Sequence, residues 1–303
     1  MKIARFLGAD GPELGLVKGD RLHSLPRAAQ AAGLAWLAPM FRDIRLFLLA
    51  DEPTRAALIG RILSAGDAGS VPLAQARLLA PIETGSKILA HVVNYPGHDA
   101  EARVKMPEKP FFFVKTPSSV ANPGDPIFAH PVSAKLDHEV EVAIVIGRAG
   151  RDIPAERALD HVAGYTVAND VSYRDLQMNE DFPALNQSYG KNWTQAKGLD
   201  NACPLGPVLT LADELAEPYP LAMTCRVNGE IRQKASTAEM VWKVPQLIAE
   251  VSRGMTLLPG DVILTGTCAG GGLADGRFLK PGDEVVCEIE GLGVLINKVR
   301  AAA

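Results

Sequence analysis

The sequence predicts a strand-rich α+β fold, and three observations carry that reading. From Lys87 onward, short apolar runs recur between glycine, proline and aspartate: Val142–Ile146, Tyr165–Ala168, Val208–Leu211, Ala222–Val227, Val262–Leu264, Val285–Ile289 and Val294–Val299. Helical spacing in this region is confined to about residues 97–105, 170–178 and 243–255. Strands and helices therefore do not alternate as a doubly wound sheet or a TIM barrel requires. The chain also holds 28 glycines and 22 prolines in 303 residues, a turn-rich composition that suits short strands better than a helix bundle.

Residues 1–80 read as a small α+β domain of their own. Ile3–Leu7 and Leu14–Val17 flank a first turn, and Lys18-Gly19-Asp20 predicts a second before Leu22–Leu25. Alanine- and leucine-rich stretches at 27–38 and 42–64 have helical spacing, with an interruption at Asp51-Glu52-Pro53-Thr54. Residues 81–303 read as the second, larger domain, and every chemistry-bearing motif below falls within it.

Composition narrows the function. With 31 basic and 35 acidic residues the formal charge is −4, so there is no basic excess to displace nucleic-acid counterions. No apolar run approaches the ~20 residues of a membrane span, and Asp10 and Glu13 interrupt any signal-peptide core. Cys203, Cys225, Cys268 and Cys287 form no C-x-x-C pair, which supports neither a zinc site nor a disulfide framework. The expectation is a soluble protein of a reducing compartment, the cytoplasm, with no nucleic-acid or membrane partner.

The most informative segment is Asp137-His138-Glu139-Val140-Glu141, running into Val142–Ile146. As a strand it puts Glu139, Glu141, Ala143 and Val145 on one face and the apolar even positions on the other. Two carboxylates ~6–7 Å apart on one face of a strand buried on both sides would repel and lose solvation. A divalent cation resolves the conflict. A second apolar strand, Val162–Asn169, ends at Asp170. Three carboxylates without a soft ligand point to Mg²⁺, or to Mn²⁺ or Ca²⁺. The same spacing also fits a solvated edge face, with Asp170 as a helix N-cap.

Other segments carry weaker signals. If a short helix follows Gly97, His98 and Glu101 are i, i+3 neighbours, a pair that can hold water and remove its proton; an exposed polar helix start has the same spacing. Lys197 lies beside a turn, where it could neutralise a substrate carboxylate or an oxyanion, or simply be solvated. Leu264–Gly272 runs from a strand into a glycine loop without the lysine of a P-loop. It reads as a backbone-amide cradle for a small anion or as a plain hairpin connection, followed by loop and turn.

Taken together, the motifs from about Leu79 to Val299 resemble the fumarylacetoacetate hydrolase family. In order they are Asn94-Tyr95-x-x-His98-x-x-Glu101, Asp137-His138-Glu139-Val140-Glu141, and Gly164–Asp170 continuing to Arg174 and Gln177. Lys197-Gly198-x-Asp200 with Pro204–Pro207 follows, then Asn228-Gly229-Glu230-x-Arg232-Gln233, Gly260–Thr267 and Pro281-Gly282-Asp283. The resemblance implies a mixed β-roll catalytic domain and a homodimer. By motif it implies Glu139, Glu141 and Asp170 as Mg²⁺ ligands and His98 with Glu101 as a water-activating pair. It places Lys115, Arg174, Gln177, Lys197 and Thr267 around the substrate. Departures occur at Val92 (often glycine), Cys268 (often proline), Tyr173 (a small residue) and Ala196 (glycine), and residues 178–195 offer several aromatic and amide side chains.

The activity this implies is Mg²⁺-dependent hydrolysis of a C–C bond in a β-diketo acid, an acylpyruvate or fumarylpyruvate-like compound, releasing pyruvate and a carboxylic acid. In that scheme Lys197 stabilises the oxyanion. Decarboxylation, isomerisation or hydration of a 2-oxo acid could use the same metal site. A catalytically inactive 2-oxo-acid-binding protein is the non-enzyme alternative.

Overall fold

The computed structural model describes residues 1–64, 69–102, 105–177 and 192–302. The chain opens as a meander, β1 (Lys2–Gly8), β2 (Gly11–Lys18) and β3 (Arg21–Ser24). Ser24 then caps α1 (Leu25–Ala31) by accepting the Arg27 N–H at 3.3 Å, with Pro26 in the first turn. The helical stretch predicted over 27–38 ends early, because Gly33 turns at φ +73 and only a single 3₁₀ turn (Ala35–Leu37) follows. The stretch over 42–64 divides at its predicted interruption. There α2 (Ile44–Leu49) ends, and Asp51 accepts the Thr54 N–H at 2.9 Å to start α3 (Glu52–Ser64). Short strands β4 (Ser70–Pro72) and β5 (Leu78–Leu79) close this part.

The longer part begins with β6 (Ile88–His91), α4 (His98–Glu101), β7 (Phe112–Lys115), β8 (Val120–Ala121) and β9 (Ile127–Ala129). Next come β10 (Leu136–Asp137), β11 (Val140–Ile146), β12 (Val162–Asn169), β13 (Ser172–Tyr173), α5 (Arg174–Gln177) and α6 (Trp193–Lys197). Then follow β14 (Cys203–Leu211), β15 (Ala222–Val227), β16 (Glu230–Ser236) and α7 (Val244–Val251). The chain closes with β17 (Val262–Leu264), α8 (Gly272–Asp275), β18 (Glu284–Ile289) and β19 (Gly293–Ala301).

Two expectations need correcting. The helix expected over 170–178 starts only at Arg174, because Ser172 and Tyr173 pair with Asp137 and Leu136. The segment after the glycine loop contains a short helix, α8, where only loop and turn were expected.

Among the described residues, twelve strands form one sheet in the order β4-β3-β2-β1-β14-β12-β11-β17-β6-β7, with β5 on β1 and β8 on β14. A second sheet runs β16-β15-β18-β19-β9. Most pairings are antiparallel, but β6/β17, β8/β14 and β9/β19 are parallel, so the strand-rich α+β body is mixed. Register decides which face each β11 side chain takes. Ala143 lies opposite Leu264, which lies opposite Ala90. That face, with Val145, Leu205 and Leu209, packs under Leu25, Phe41, Ile44 and Phe47 of the N-terminal part. The other face, with Val140, Val142, Ile144 and Ile146, packs on Met223, Val285 and Leu295 of the smaller sheet and on Val244 and Ile248 of α7. Every residue of β11 is buried, Glu141 included, as the apolar run Val142–Ile146 predicts for the strand. All four cysteines are buried thiols, and among the described residues no helix is long and apolar enough to cross a membrane.

Candidate metal centre and active site

β11 and β12 together build an acidic cluster. Their register sets Glu141 opposite Ala168 and Val140 opposite Asn169. The chain then turns so that the Asp170 N–H donates to the Glu139 carbonyl at 2.8 Å. Asn169 accepts the Glu139 N–H through its side chain at 2.9 Å. Glu139, Glu141 and Asp170 are buried, and one carboxylate oxygen from each lies within 4.8 Å of the others. This burial removes the solvated-edge alternative, and the pairing of β13 removes the N-cap alternative for Asp170.

Three cations partly offset the cluster. The Lys197 ammonium bridges Glu139 and Asp170, the latter at 2.7 Å. Arg174 binds Asp137 through Nε at 2.9 Å and Glu139 through Nη2. Lys115 Nζ sits 2.5 Å from Asp170 Oδ1. Burial pushes the Glu139 carboxyl up, but the Arg174 and Lys197 charges outweigh it and hold the group well below the usual carboxylate range. Glu141 goes the other way: burial, then the charges of Asp170 and Glu139, push it well up. Among the described residues no cation pairs directly with Glu141, which accepts the Gly266 N–H at 2.6 Å. A buried carboxylate beside two others and without its own cation fits a hard divalent ion, and the all-oxygen donor set does not favour zinc.

His98 and Glu101 stand beside the cluster, as their spacing predicts. Gly97 turns at φ +87 into α4, placing His98 Nδ1 3.6 Å from Glu101 Oε2 and His98 Nε2 3.9 Å from Glu139 Oε1. The turn that delivers them is anchored by Asn94. Val93 adopts φ +46, a left-handed conformation that β-branched residues rarely take. The Asn94 amide donates to the Trp242 and Thr265 carbonyls at 2.9 and 2.8 Å and accepts the Trp242 N–H at 2.7 Å. Asn94→Ala would strand these buried backbone groups, so we expect it to cost about 3 kcal/mol of stability. Urea unfolding checks this; a loss under about 1 kcal/mol would mean that the anchor is dispensable.

The glycine loop is an anion cradle, but the anions it holds are the chain's own. Gly266 N–H binds Glu141, Gly270 N–H binds both Glu101 oxygens at 2.8 and 3.0 Å, and Gly272 N–H binds Asp137 at 2.7 Å. Gly270 must be glycine: it has φ +108, and a Cβ there would come within 2.0 Å of the Arg232 carbonyl oxygen.

These groups surround a cavity of about 330 Å³ lined by His98, Arg174, Gln177, Lys197 and Thr267 together with the three acids. Lys115, expected on its wall, is not among the lining residues. It is fully buried behind Asp170 and acts on that carboxylate. Val92 contributes to the wall, as do Phe113 and Trp193, whose rings stack 4.8 Å apart. Tyr173 points elsewhere, donating its hydroxyl to the Phe128 carbonyl at 2.7 Å. Ala196 is buried in α6, and residues 178–191 of the side-chain-rich segment lie outside the described residues. Asp137, Asn94 and Gln233 escaped the residue-level reading, although all three stand inside the quoted motifs. Asp137 alone had a local signal, as a third acid two residues before Glu139.

The comparisons with known proteins agree with this geometry. Residues 87–300 match the family model described as fumarylacetoacetate (FAA) hydrolase C-terminal. The chain belongs to the fumarylacetoacetate hydrolase family. Residues 1–81 match a second model, Rv2993c-like N-terminal. Among curated relatives in the family, the human mitochondrial oxaloacetate tautomerase FAHD2A is 45% identical over 292 residues, covering 95% of this chain and 88% of the relative. The oxaloacetate tautomerase YisK of Bacillus subtilis is 40% identical over 233 residues, 75% of this chain and 74% of the relative. A solved structure in the same fold is maleylpyruvate hydrolase from Sphingobium sp. SYK-6 with manganese(II) and pyruvate, at TM-score 0.77 and 32% identity over the whole of both chains. The family around this chain therefore includes both isomerases and hydrolases of small oxo acids.

Proposed function

We propose that this chain is a divalent-metal-dependent enzyme that interconverts the keto and enol forms of a 2-oxo dicarboxylate such as oxaloacetate. The observation that carries the reading is a buried carboxylate triad with the His98 imidazole beside it, 3.9 Å from Glu139 and 3.6 Å from Glu101, in a chain 45% identical over 95% of its length to a human oxaloacetate tautomerase. Glu139, Glu141 and Asp170 would hold the ion, Mg²⁺ in this reading, with Mn²⁺ and Ca²⁺ of similar donor preference. When bound, the ion supplies a Lewis acid that acidifies the C3 position of a 2-oxo acid and stabilises charge on its carbonyl oxygen.

His98, with Nδ1 turned to Glu101, would carry a proton between C3 and the enol oxygen through Nε2. Glu101 is held by the Gly270 amide with its Oε2 3.6 Å from Nδ1, and would orient the ring once that gap closes to hydrogen-bond distance. Lys197 and Arg174, already neutralising Glu139, would present positive charge to the substrate carboxylates, with Gln177 and Thr267 completing the wall. The same reading takes residues 1–80 and 81–303 as the two domains and the molecule as a cytoplasmic homodimer.

The second reading is hydrolysis of an acylpyruvate, with His98 taking its proton from water. It is favoured by the end-to-end similarity to maleylpyruvate hydrolase. One experiment separates the two. Enol-oxaloacetate loss is followed by ultraviolet absorbance with Mg²⁺ and with EDTA, while pyruvate release is followed from acetylpyruvate and fumarylpyruvate. We expect Mg²⁺-dependent acceleration of enol loss. Pyruvate release without that acceleration would replace the tautomerase with the hydrolase.

A further inference from the structure

Gln233 lies on β16 of the smaller sheet and does not line the cavity, yet its side chain touches both halves of the site. It is 1% exposed. Its Oε1 accepts the Val140 N–H at 3.1 Å and lies 3.1 Å from His138 Nδ1. Its Nε2 donates to Thr267 Oγ1 at 2.9 Å and to the Cys268 carbonyl at 2.8 Å. Both acceptor sites and both donor hydrogens of the amide are thus in use. Thr267 Oγ1 donates onward to the Val140 carbonyl at 2.8 Å, closing a ring through the residue between Glu139 and Glu141.

The opposite end of the same contact is the glycine loop. Cys268 lies between Gly266, whose amide holds Glu141, and Gly270, whose amide holds Glu101. The neighbouring Arg232 carbonyl presses on Gly270 closely enough to exclude a Cβ, so two successive β16 residues shape this loop. We propose that Gln233 is a positioning residue that locks the glycine loop to the strand bearing Glu139 and Glu141, and so sets the spacing between the metal carboxylates and the His98–Glu101 pair. The inference rests on the metal-dependent reading above but names a residue that contacts neither substrate nor ion.

The mechanism is geometric. Without the amide, Thr265 and Thr267 still tie the start of the loop to the Val142 and Val140 carbonyls, but Cys268 loses its link to β16 and the Val140 N–H loses its acceptor, so the Gly270 amide and the Glu101 it holds shift relative to Glu139 and Glu141. Outer partners of this kind alter metal affinity or activity by about 10–100-fold.

The test uses the full chain with Gln233→Leu, which removes all four contacts, and Gln233→Glu, which keeps the oxygen facing Val140 but loses both donors. Mn²⁺ affinity is measured by calorimetry, kcat and KM on enol-oxaloacetate, and folding by near-ultraviolet circular dichroism. Both variants are then repeated in a Glu101→Gln background. We expect Mn²⁺ binding weakened about tenfold and kcat lowered about 10–100-fold with KM changed little. The kcat loss should vanish in the Glu101→Gln background, because the loop then has no base pair left to position. If Gln233→Leu does not fold, Gln233→Glu gives the same readouts.

Wild-type Mn²⁺ affinity and kcat in a folded variant would overturn the proposal. So would kcat losses that multiply in the double variant, since they would reflect a general structural effect. Wild-type protein that binds Mn²⁺ but leaves enol-oxaloacetate unchanged would refute the tautomerase reading alone, and the Mn²⁺ affinities would still decide the role of Gln233. Wild-type protein that binds no Mn²⁺ would overturn both.

Discussion

Replacing Glu141 with glutamine is expected to lower turnover about 10³-fold and to erase the thermal shift produced by Mn²⁺. The expectation follows from its environment. Glu141 is buried, faces Glu139 and Asp170 within ligand distance, and has no paired cation among the described residues. Glutamine keeps the shape and can still accept the Gly266 amide hydrogen, but it removes one of three anionic donors. Lewis-acid stabilisation is worth several kcal/mol, which at about 1.36 kcal/mol per decade gives the stated loss. The metal-free variant should melt at or above the wild type, because a buried repulsion has gone. Scanning calorimetry in EDTA and in Mn²⁺ reads both effects. A wild-type Mn²⁺ shift in Glu141→Gln would remove Glu141 from the ligand set.

Lys197→Met should behave in the opposite sense. The ammonium bridges Glu139 and Asp170, and it lies 5.5 Å above the centre of the Phe113 ring. Methionine preserves the packing of the stem while leaving two buried carboxylates short of a partner, a loss of about 3–5 kcal/mol in EDTA. Mn²⁺ should then stabilise the variant more than it stabilises the wild type, because the added charge replaces the missing one. At ligand concentrations of about 1,000 Kd, binding contributes about 4 kcal/mol, enough to restore most of the loss. Activity should stay low even so, since the cavity has lost a cation facing the substrate. Denaturant unfolding with and without Mn²⁺ tests this. Equal stability of variant and wild type in EDTA would show that the pairing contributes nothing.

The acidic centre was legible because it is local. The apolar run Val142–Ile146 announces a strand buried on both faces, and the two acids just before it stand out against that pattern. The i, i+3 spacing of His98 and Glu101 is local in the same way. What stayed hidden depends on sheet order. Lys115 sits behind Asp170 because β7 follows β6 and β17 across from β11, an arrangement no short window of sequence contains. The false helix start at residue 170 has the same origin, since Ser172 and Tyr173 are drawn into strand by partners more than 30 residues upstream. The glycine loop left a cradle and a plain hairpin equally open; its amides do hold anions, but these come from the chain's own distant segments, and only the fold names them.

The large sheet does not stop where the family models meet. β1 pairs with β14, placing Lys2 opposite Thr210 and Ile3 opposite Leu209, and the helices between β3 and β4 cover the face that continues from Ala143 and Val145. Removing this leading segment would bare the β14 sheet edge and an apolar surface at once. Among the described residues of 1–81 none lines the cavity, yet they complete the sheet and the apolar layer behind the strand that carries the acids.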